Sequence, residues 1–278
     1  MPGERLDQKT IEQLWHDYLT TGNYMRYLGP LKYREFRTLM RWLPKNPRCR
    51  ICYTPFSGVG GTLVKVALGR ERSVLNPSMC NICEKFARKY RGGAEVEISM
   101  LFADVRGSTT LAEGMAPIEF SHLIDRFYRA VTEILIESKA WIEKLIGDEV
   151  TGLFIPGFAG PQHARLAVEA AQAILQATGH GRPEGPWIPV GVGVHTGTAF
   201  VGAVGKEGGM TDITALGDAV NTAARLAANA GPGEVLVSEH AWNASGLGSG
   251  LGAEGAEVRQ LQLKGRSEPV EVRVLRAV

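Results

Sequence analysis

Residues 95–110 read Glu95-Val-Glu-Ile-Ser-Met-Leu-Phe-Ala-Asp104-Val-Arg106-Gly-Ser-Thr-Thr110. The apolar run predicts a strand that ends on a carboxylate, and Arg106-Gly-Ser-Thr-Thr110 predicts a helix opening directly after it. Free backbone amides at such a start, beside the Ser108 and Thr109 hydroxyls, form an anion site. Downstream, Ile118, Leu123, Phe127, Val131, Ile134 and Leu135 trace one face of a long helix. Segments 140–145 and 150–154 flank Gly147-Asp148, the pattern of a hairpin with a second carboxylate at its tip. Helices are expected near 162–177 and 218–229, and strands near 188–195, 199–204, 233–238, 256–263 and 270–276. The Gly-rich stretches 179–186 and 244–255 read as loops. This succession predicts a mixed α+β fold with an antiparallel component.

Upstream of that stretch the chain changes character. Residues 1–93 carry 17 Lys/Arg against 7 Asp/Glu, and residues 94–278 carry 14 against 22, so charges of +10 and −8 hide inside a net +2. All four cysteines also lie in the first part, so a boundary is expected there, with an N-terminal region over 1–93 and a second domain over 94–278. Ile11, Leu14, Trp15, Tyr18 and Leu19, and then Tyr33, Phe36, Leu39, Met40 and Leu43, recur at helical spacing, predicting two amphipathic helices. Cys49-Arg-Ile-Cys52 and Cys80-Asn-Ile-Cys83 are two Cys-x-x-Cys knuckles, which together supply a tetrahedral shell of four thiolates; structural zinc is the default ion. An iron–sulfur cluster and a thiol redox switch stay open as alternatives. Gly58-Val-Gly-Gly-Thr62 lacks the Lys-Ser/Thr of a phosphate loop and reads as a turn between the knuckles. With 44% hydrophobic and 22% charged residues among 278, the composition is that of an ordinary globular protein. No run reaches the roughly 18 apolar residues of a membrane span and the first residues lack a signal-peptide core, so a cytoplasmic location and no membrane partner are expected.

Asp104 and Asp148 are the first chemical pair, since two carboxylates converging from adjacent strands suit magnesium with open positions left for phosphates. Asp104-Val-Arg-Gly-Ser-Thr and Lys144-Leu-Ile-Gly-Asp148-Glu resemble the two metal-binding segments of the class III nucleotidyl cyclases. Val192-Gly-Val-His195-Thr-Gly197 and Thr214-Ala-Leu-Gly-Asp-Ala-Val-Asn221-Thr-Ala-Ala-Arg225 continue that resemblance in the same order, from about residue 95 to the C-terminus. The resemblance implies ferredoxin-like catalytic domains that pair head to tail as a homodimer, with Asp104, Asp148 and the Val105 carbonyl of one subunit holding two Mg²⁺ or Mn²⁺ ions. Gly107, Ser108, Thr109 and the late Lys264 would take the triphosphate, while Lys144, Thr214, Asn221 and Arg225 of the partner subunit would complete the site. Asn221 and Arg225, four apart, share a helix face, so Asn221 can orient the ribose while Arg225 meets charge developing on the α-phosphate. One departure is Gly191, four residues before His195, where family members place a phosphate-binding Arg; Arg106 or Arg266 is the substitute at hand. His195, at a strand end before a Thr-Gly turn, reads as structural rather than as a base.

Adenine offers an acceptor at N1 and a donor at N6, which the Lys144 amine and the Thr214 hydroxyl complement; guanine reverses the pattern. The expected reaction is therefore ATP to cyclic AMP. The rival readings are a nucleotide-binding regulatory module that keeps the fold without turnover, and a cyclase for GTP or a pyrimidine nucleotide. A nucleic-acid partner for the +10 region is not expected, because thiolates on a metal would reduce that charge.

Overall fold

The computed structural model describes residues 7–22, 33–43, 47–74, 79–205, 211–249, 256–265 and 268–277. The chain begins with four helices, α1 (Gln8–Thr21), α2 (Tyr33–Trp42), α3 (Gly58–Leu68) and α4 (Asn81–Lys89). It continues through β1 (Gly92–Val105), α5 (Ser108–Glu113), α6 (Pro117–Glu137), β2 (Trp141–Ile146), β3 (Glu149–Phe154), α7 (Pro156–Ala159) and α8 (His163–Ala177). Then come β4 (Val190–Gly205), β5 (Thr211–Leu216), α9 (Asp218–Asn229), β6 (Glu234–Ser238), α10 (Glu239–Ser245), β7 (Glu257–Leu261) and β8 (Val270–Arg276). The strands form a mixed sheet in the order β2-β3-β1-β4-β6-β8-β7, with β5 paired to β4. The expected α+β class, a mixed sheet with flanking helices, is what the structure has.

The chain divides into two compact units. The second holds residues 97–155, 159–198 and 217–278. Here β1 lies antiparallel to β3 with Asp104 opposite Glu149, and β4 runs parallel to β6. Leu101, Ala103 and Val105 on alternate positions of β1 join Phe127, Val131 and Leu135 of α6 and Ala167, Val168 and Ala171 of α8 in one core. The α6 stripe is the one its sequence spacing predicts. Pro117 starts that helix, where a missing N–H costs nothing, and the Glu119 carboxylate accepts from the Ala116 amide at 3.1 Å. Ser99 Oγ, buried, joins His163 Nδ1 at 2.9 Å and Thr196 Oγ1 at 2.6 Å, so these polar groups are satisfied inside the sheet's packed face.

The first unit contains the described residues up to Val96 together with 156–158 and 199–216, so the end of β4 and all of β5 belong with the cysteine-bearing helices. Asp7 caps α1 through its carboxylate at 2.7 Å from the Thr10 amide, and Gly22, at φ +68°, ends it. Trp15, Tyr18 and Leu19 of α1 are buried; the Trp15 indole donates to the Tyr90 carbonyl at 2.7 Å, and Tyr18 stacks edge-on against Phe158 at 5.1 Å.

Gly58–Thr62 is no turn but the opening of α3, whose Gly61 lies so close to the preceding chain that a Cβ would meet the Phe56 carbonyl carbon at 2.8 Å. Close packing thus fixes a helix that glycine's poor propensity hides. The strands expected at 188–195 and 199–204 are one continuous strand, β4, and β5 is a further strand beyond those the pattern predicts. Residues 244–249, expected as loop, finish α10 and add a 3-10 turn at Leu247–Ser249; Ser238 Oγ caps α10 at 3.2 Å from the Ala241 amide. Residues 250–255 of that expected loop lie outside the described residues.

Candidate active site and cysteine centre

Asp104 stands at the end of β1 and Asp148 in the β2–β3 turn, and the Val105 amide donates to the Asp148 carbonyl at 3.1 Å, tying the two carboxylate-bearing segments together. Gly147 takes the positive φ (+60°) that this two-residue turn demands. From α6 the Tyr128 hydroxyl donates to the Gly147 carbonyl at 2.6 Å, bracing the hairpin from behind. Tyr128 carries no motif and lies beside the apolar stripe rather than in it, so sequence spacing passes over it.

Negative charge collects at this end of the sheet. Burial raises the Asp104 pKa; the Arg106 guanidinium, in close ion pair with it, opposes the rise, and Asp148 adds to it. Burial likewise raises Glu149, with Asp104 and Asp148 contributing. Oxygen donors on two segments, with Arg106 only partly offsetting the charge, are a donor set that suits a hard divalent cation. Arg106 also donates to the Ala228 carbonyl at 3.1 Å, which holds it close to Asp104. Gly107, at φ +66°, turns the chain into α5, and no side chain caps that helix. An open cavity of about 650 Å³ adjoins the turn, lined among others by Ser108, Thr109, Phe120, Ile124, Tyr128 and Asp148.

Asn221 and Arg225 lie one turn apart on α9, Asn221 exposed and Arg225 half-buried. A Cβ at Gly265 would be 3.5 Å from Arg225 Nη2, so the turn carrying the exposed Lys264 lies beside the arginine. Lys144 is half-buried on β2 with its amine 3.7 Å from the Glu143 carboxylate, and Thr214 is buried on β5 opposite Gly202. A model of the adenylate and guanylate cyclase catalytic domain matches residues 93–274. The chain belongs to that family.

Among its relatives, an adenylate cyclase of Anabaena cylindrica is 33% identical over 138 residues, 46% of this chain and 26% of that protein. An uncharacterized protein of Mycobacterium tuberculosis is 28% identical over 247 residues, 88% of this chain and 41% of the other, so that likeness extends ahead of the catalytic segment. This chain therefore spans less than half the length of these relatives. Among solved structures, the guanylyl cyclase Cya2 matches with a TM-score of 0.58 at 24% identity, covering 67% of this chain and 95% of that one. The adenylyl cyclase CyaB from P. aeruginosa gives 0.55 at 24%, covering 66% and 96%. These likenesses establish the fold of about two thirds of the chain.

At Gly191 a Cβ would meet the Ala230 carbonyl oxygen at 2.7 Å, so the chain has no room there for an arginine without moving that backbone. Arg106 is engaged by Asp104, and Arg266 lies outside the described residues. His195 Nδ1 is 2.7 Å from Ser238 Oγ, the hydroxyl that caps α10, which is a structural employment.

Ahead of the family match, Cys49, Cys52, Cys80 and Cys83 are buried free thiols whose sulfurs all lie within 4.8 Å of one another. A tetrahedral zinc site with sulfurs at about 2.3 Å spaces them by about 3.8 Å, so this cage has the dimensions of one ion. The Cys80 amide donates to Cys49 Sγ at 3.2 Å, and the Cys83 amide lies 3.4 Å from Cys80 Sγ. Arg70, buried and stacked on Phe36, reaches Cys52 and Cys80 Sγ at 3.7 and 3.8 Å. Burial pushes Cys49 well up. At Cys52 burial acts the same way, yet hydrogen bonds from the other three thiols and the Arg70 charge together pull it well down. Four buried sulfur donors converging on one point are a cage suited to a soft cation. No helix among the described residues is long and apolar enough to cross a membrane.

Proposed function

We propose that this cyclase converts ATP to 3′,5′-cyclic AMP and pyrophosphate as a cytoplasmic homodimer, with residues 94–278 as the catalytic domain and 1–93 as a zinc-bearing module. The observation that carries the reading is the pair of carboxylates, Asp104 and Asp148, joined through the Val105–Asp148 backbone hydrogen bond at a negatively charged sheet end. With the Val105 carbonyl they would hold two Mg²⁺ or Mn²⁺ ions, which supply activation of the ribose 3′-hydroxyl and neutralisation of phosphate charge. The 3′-oxygen forms its bond to the α-phosphorus, the bond to the bridging oxygen breaks, and pyrophosphate leaves with the hydroxyl proton released to solvent. Arg225 of the partner subunit bears on the charge growing at the α-phosphate and Asn221 orients the ribose. Gly107, Ser108, Thr109 and Lys264 receive the triphosphate. Lys144 donates to adenine N1 and Thr214 accepts from N6.

Incubating purified protein with each of the four nucleoside triphosphates and Mg²⁺ or Mn²⁺, with products identified by mass, tests the reading. Cyclic AMP from ATP as the preferred product is expected. Preference for GTP, CTP or UTP refutes the base assignment, and absence of any cyclic nucleotide favours a regulatory module without turnover.

A further inference from the structure

Thr214 stands on β5, and the contacts that hold β5 and the end of β4 in the first compact unit come from the cysteine module and the segment leaving it. Helix α4 packs against β5. That helix is capped by Cys80 and carries Cys83 in its first turn, so two of the four thiols fix its start. Directly after α4 the Arg91 guanidinium donates to the Gly205 carbonyl at the end of β4. Gly93 and Gly202 then pass backbone to backbone: a Cβ on Gly93 would lie 2.3 Å from the Val201 carbonyl oxygen, and one on Gly202 2.4 Å from the Gly93 Cα. Within β5 the Asp212 carboxylate accepts from the Ile213 amide at 3.0 Å, immediately before Thr214.

We propose that the metal-bound cysteine knuckles are the foundation of the β4–β5 hairpin, and that α4 and Asp212 are positioning elements for Thr214 and hence for the choice of nucleotide. The proposal rests on the assignment of Thr214 to base recognition. An isolated two-stranded hairpin is marginal in water, so β5 depends on what packs against it. A small cysteine module draws a large share of its folding free energy from its metal, so the support under β5 is only as firm as the metal site. Asp104 and Asp148 belong to the second compact unit and Thr214 to the first, so loosening the hairpin weakens base selection more than turnover of bound nucleotide.

The test uses the full chain as wild type, Cys80→Ser and Asp212→Asn, with metal content by elemental analysis and hydrogen exchange of residues 199–205 and 211–216 against β6 as internal control. Cys80→Ser should lose its metal and exchange those amides about tenfold faster or more, with β6 protection kept. Asp212→Asn should keep its metal and still speed exchange there severalfold. In both, the KM for ATP should rise and the preference for ATP over GTP narrow, with kcat changing less. Unaltered exchange over 199–216 in metal-free Cys80→Ser overturns the proposal. If Cys80→Ser loses β6 protection as well, Asp212→Asn decides, and unaltered exchange in that variant overturns it. Exchange is read without turnover, so a failed cyclase assignment leaves this arm intact, while faster exchange with unaltered nucleotide preference refutes only the role of Thr214.

Discussion

Gly193 sets the distance between β4 and α9. A Cβ built on it would be 2.3 Å from the Ala227 amide nitrogen, 2.6 Å from the Ala223 carbonyl oxygen and 2.9 Å from the Leu226 carbonyl carbon. All three are backbone atoms, so no rotamer change relieves the clash. Restoring ordinary contact, which begins near 3.4 Å, requires α9 to retreat by about 1 Å. Gly193→Ala should therefore cost about 1–3 kcal/mol of stability, the usual range for overpacking a well-filled interior. Asn221 and Arg225 ride on the displaced helix, and a misplacement of about 1 Å in a catalytic group lowers the rate by on the order of 10²-fold. Because Arg225 is assigned to charge that develops during reaction, the loss should fall on kcat more than on KM. Steady-state kinetics at saturating metal, paired with thermal unfolding, measure both effects. Gly114→Ala is the control, since a Cβ there comes no nearer than 3.4 Å to any atom and its φ is not positive. A Gly193→Ala protein with wild-type kcat and melting temperature would refute the reasoning.

Asp104→Ala and Asp148→Ala should each abolish metal-dependent cyclisation while leaving the circular dichroism spectrum unchanged; substantial residual activity in either removes the carboxylate assignment. Mixing Asp104→Ala with Asn221→Ala protein should restore one good site per heterodimer, and silence despite proven heterodimers counts against shared sites. Tyr128→Phe deletes the 2.6 Å bond to the Gly147 carbonyl; at about 1 kcal/mol for such a bond, Mn²⁺ affinity read by direct titration should fall about fivefold with the melting temperature little changed. Arg259 hydrogen bonds hold Glu234 at a pKa of about 2 against an ordinary 4.5, so its contribution is full above about 4.5 and disappears as pH falls through 2. Solvent screening reduces that contribution to about 1 kcal/mol, and Glu234→Gln should flatten the pH dependence of the urea midpoint between those limits.

What could be read along the chain is what local pattern encodes. The strand ending at Asp104, the α6 stripe and the hairpin around Gly147 each declare themselves within about twenty residues, as periodicity and turn chemistry do. The knuckle cysteines are equally explicit, because two Cys-x-x-Cys pairs have few uses. What escaped reading depends on neighbours remote in sequence. Helix α3 hides behind glycines whose purpose is close packing against Phe56, and β4 runs straight through Gly197, which read as a turn. Tyr128 gains its task only because the fold brings α6 behind a turn 19 residues later. The division of β4 between two compact units has no local signature, since it arises from contacts between residues near 90 and residues near 205.

The contact between α4 and β5 bears on how this chain tolerates being cut. The family match begins at residue 93, which makes that point an inviting place to truncate. A fragment starting there would lack α4, and Ile213, Thr214 and Ala215, now buried, would lose part of their cover. A bared strand carrying apolar side chains is a template for self-association, so such a fragment should precipitate or form ill-defined oligomers when overexpressed. Starting instead just ahead of Cys80 would keep α4 but leave Cys80 and Cys83 without Cys49 and Cys52, exposing two thiols to air oxidation. The shortest piece that behaves as a clean solution species should therefore begin upstream of Cys49.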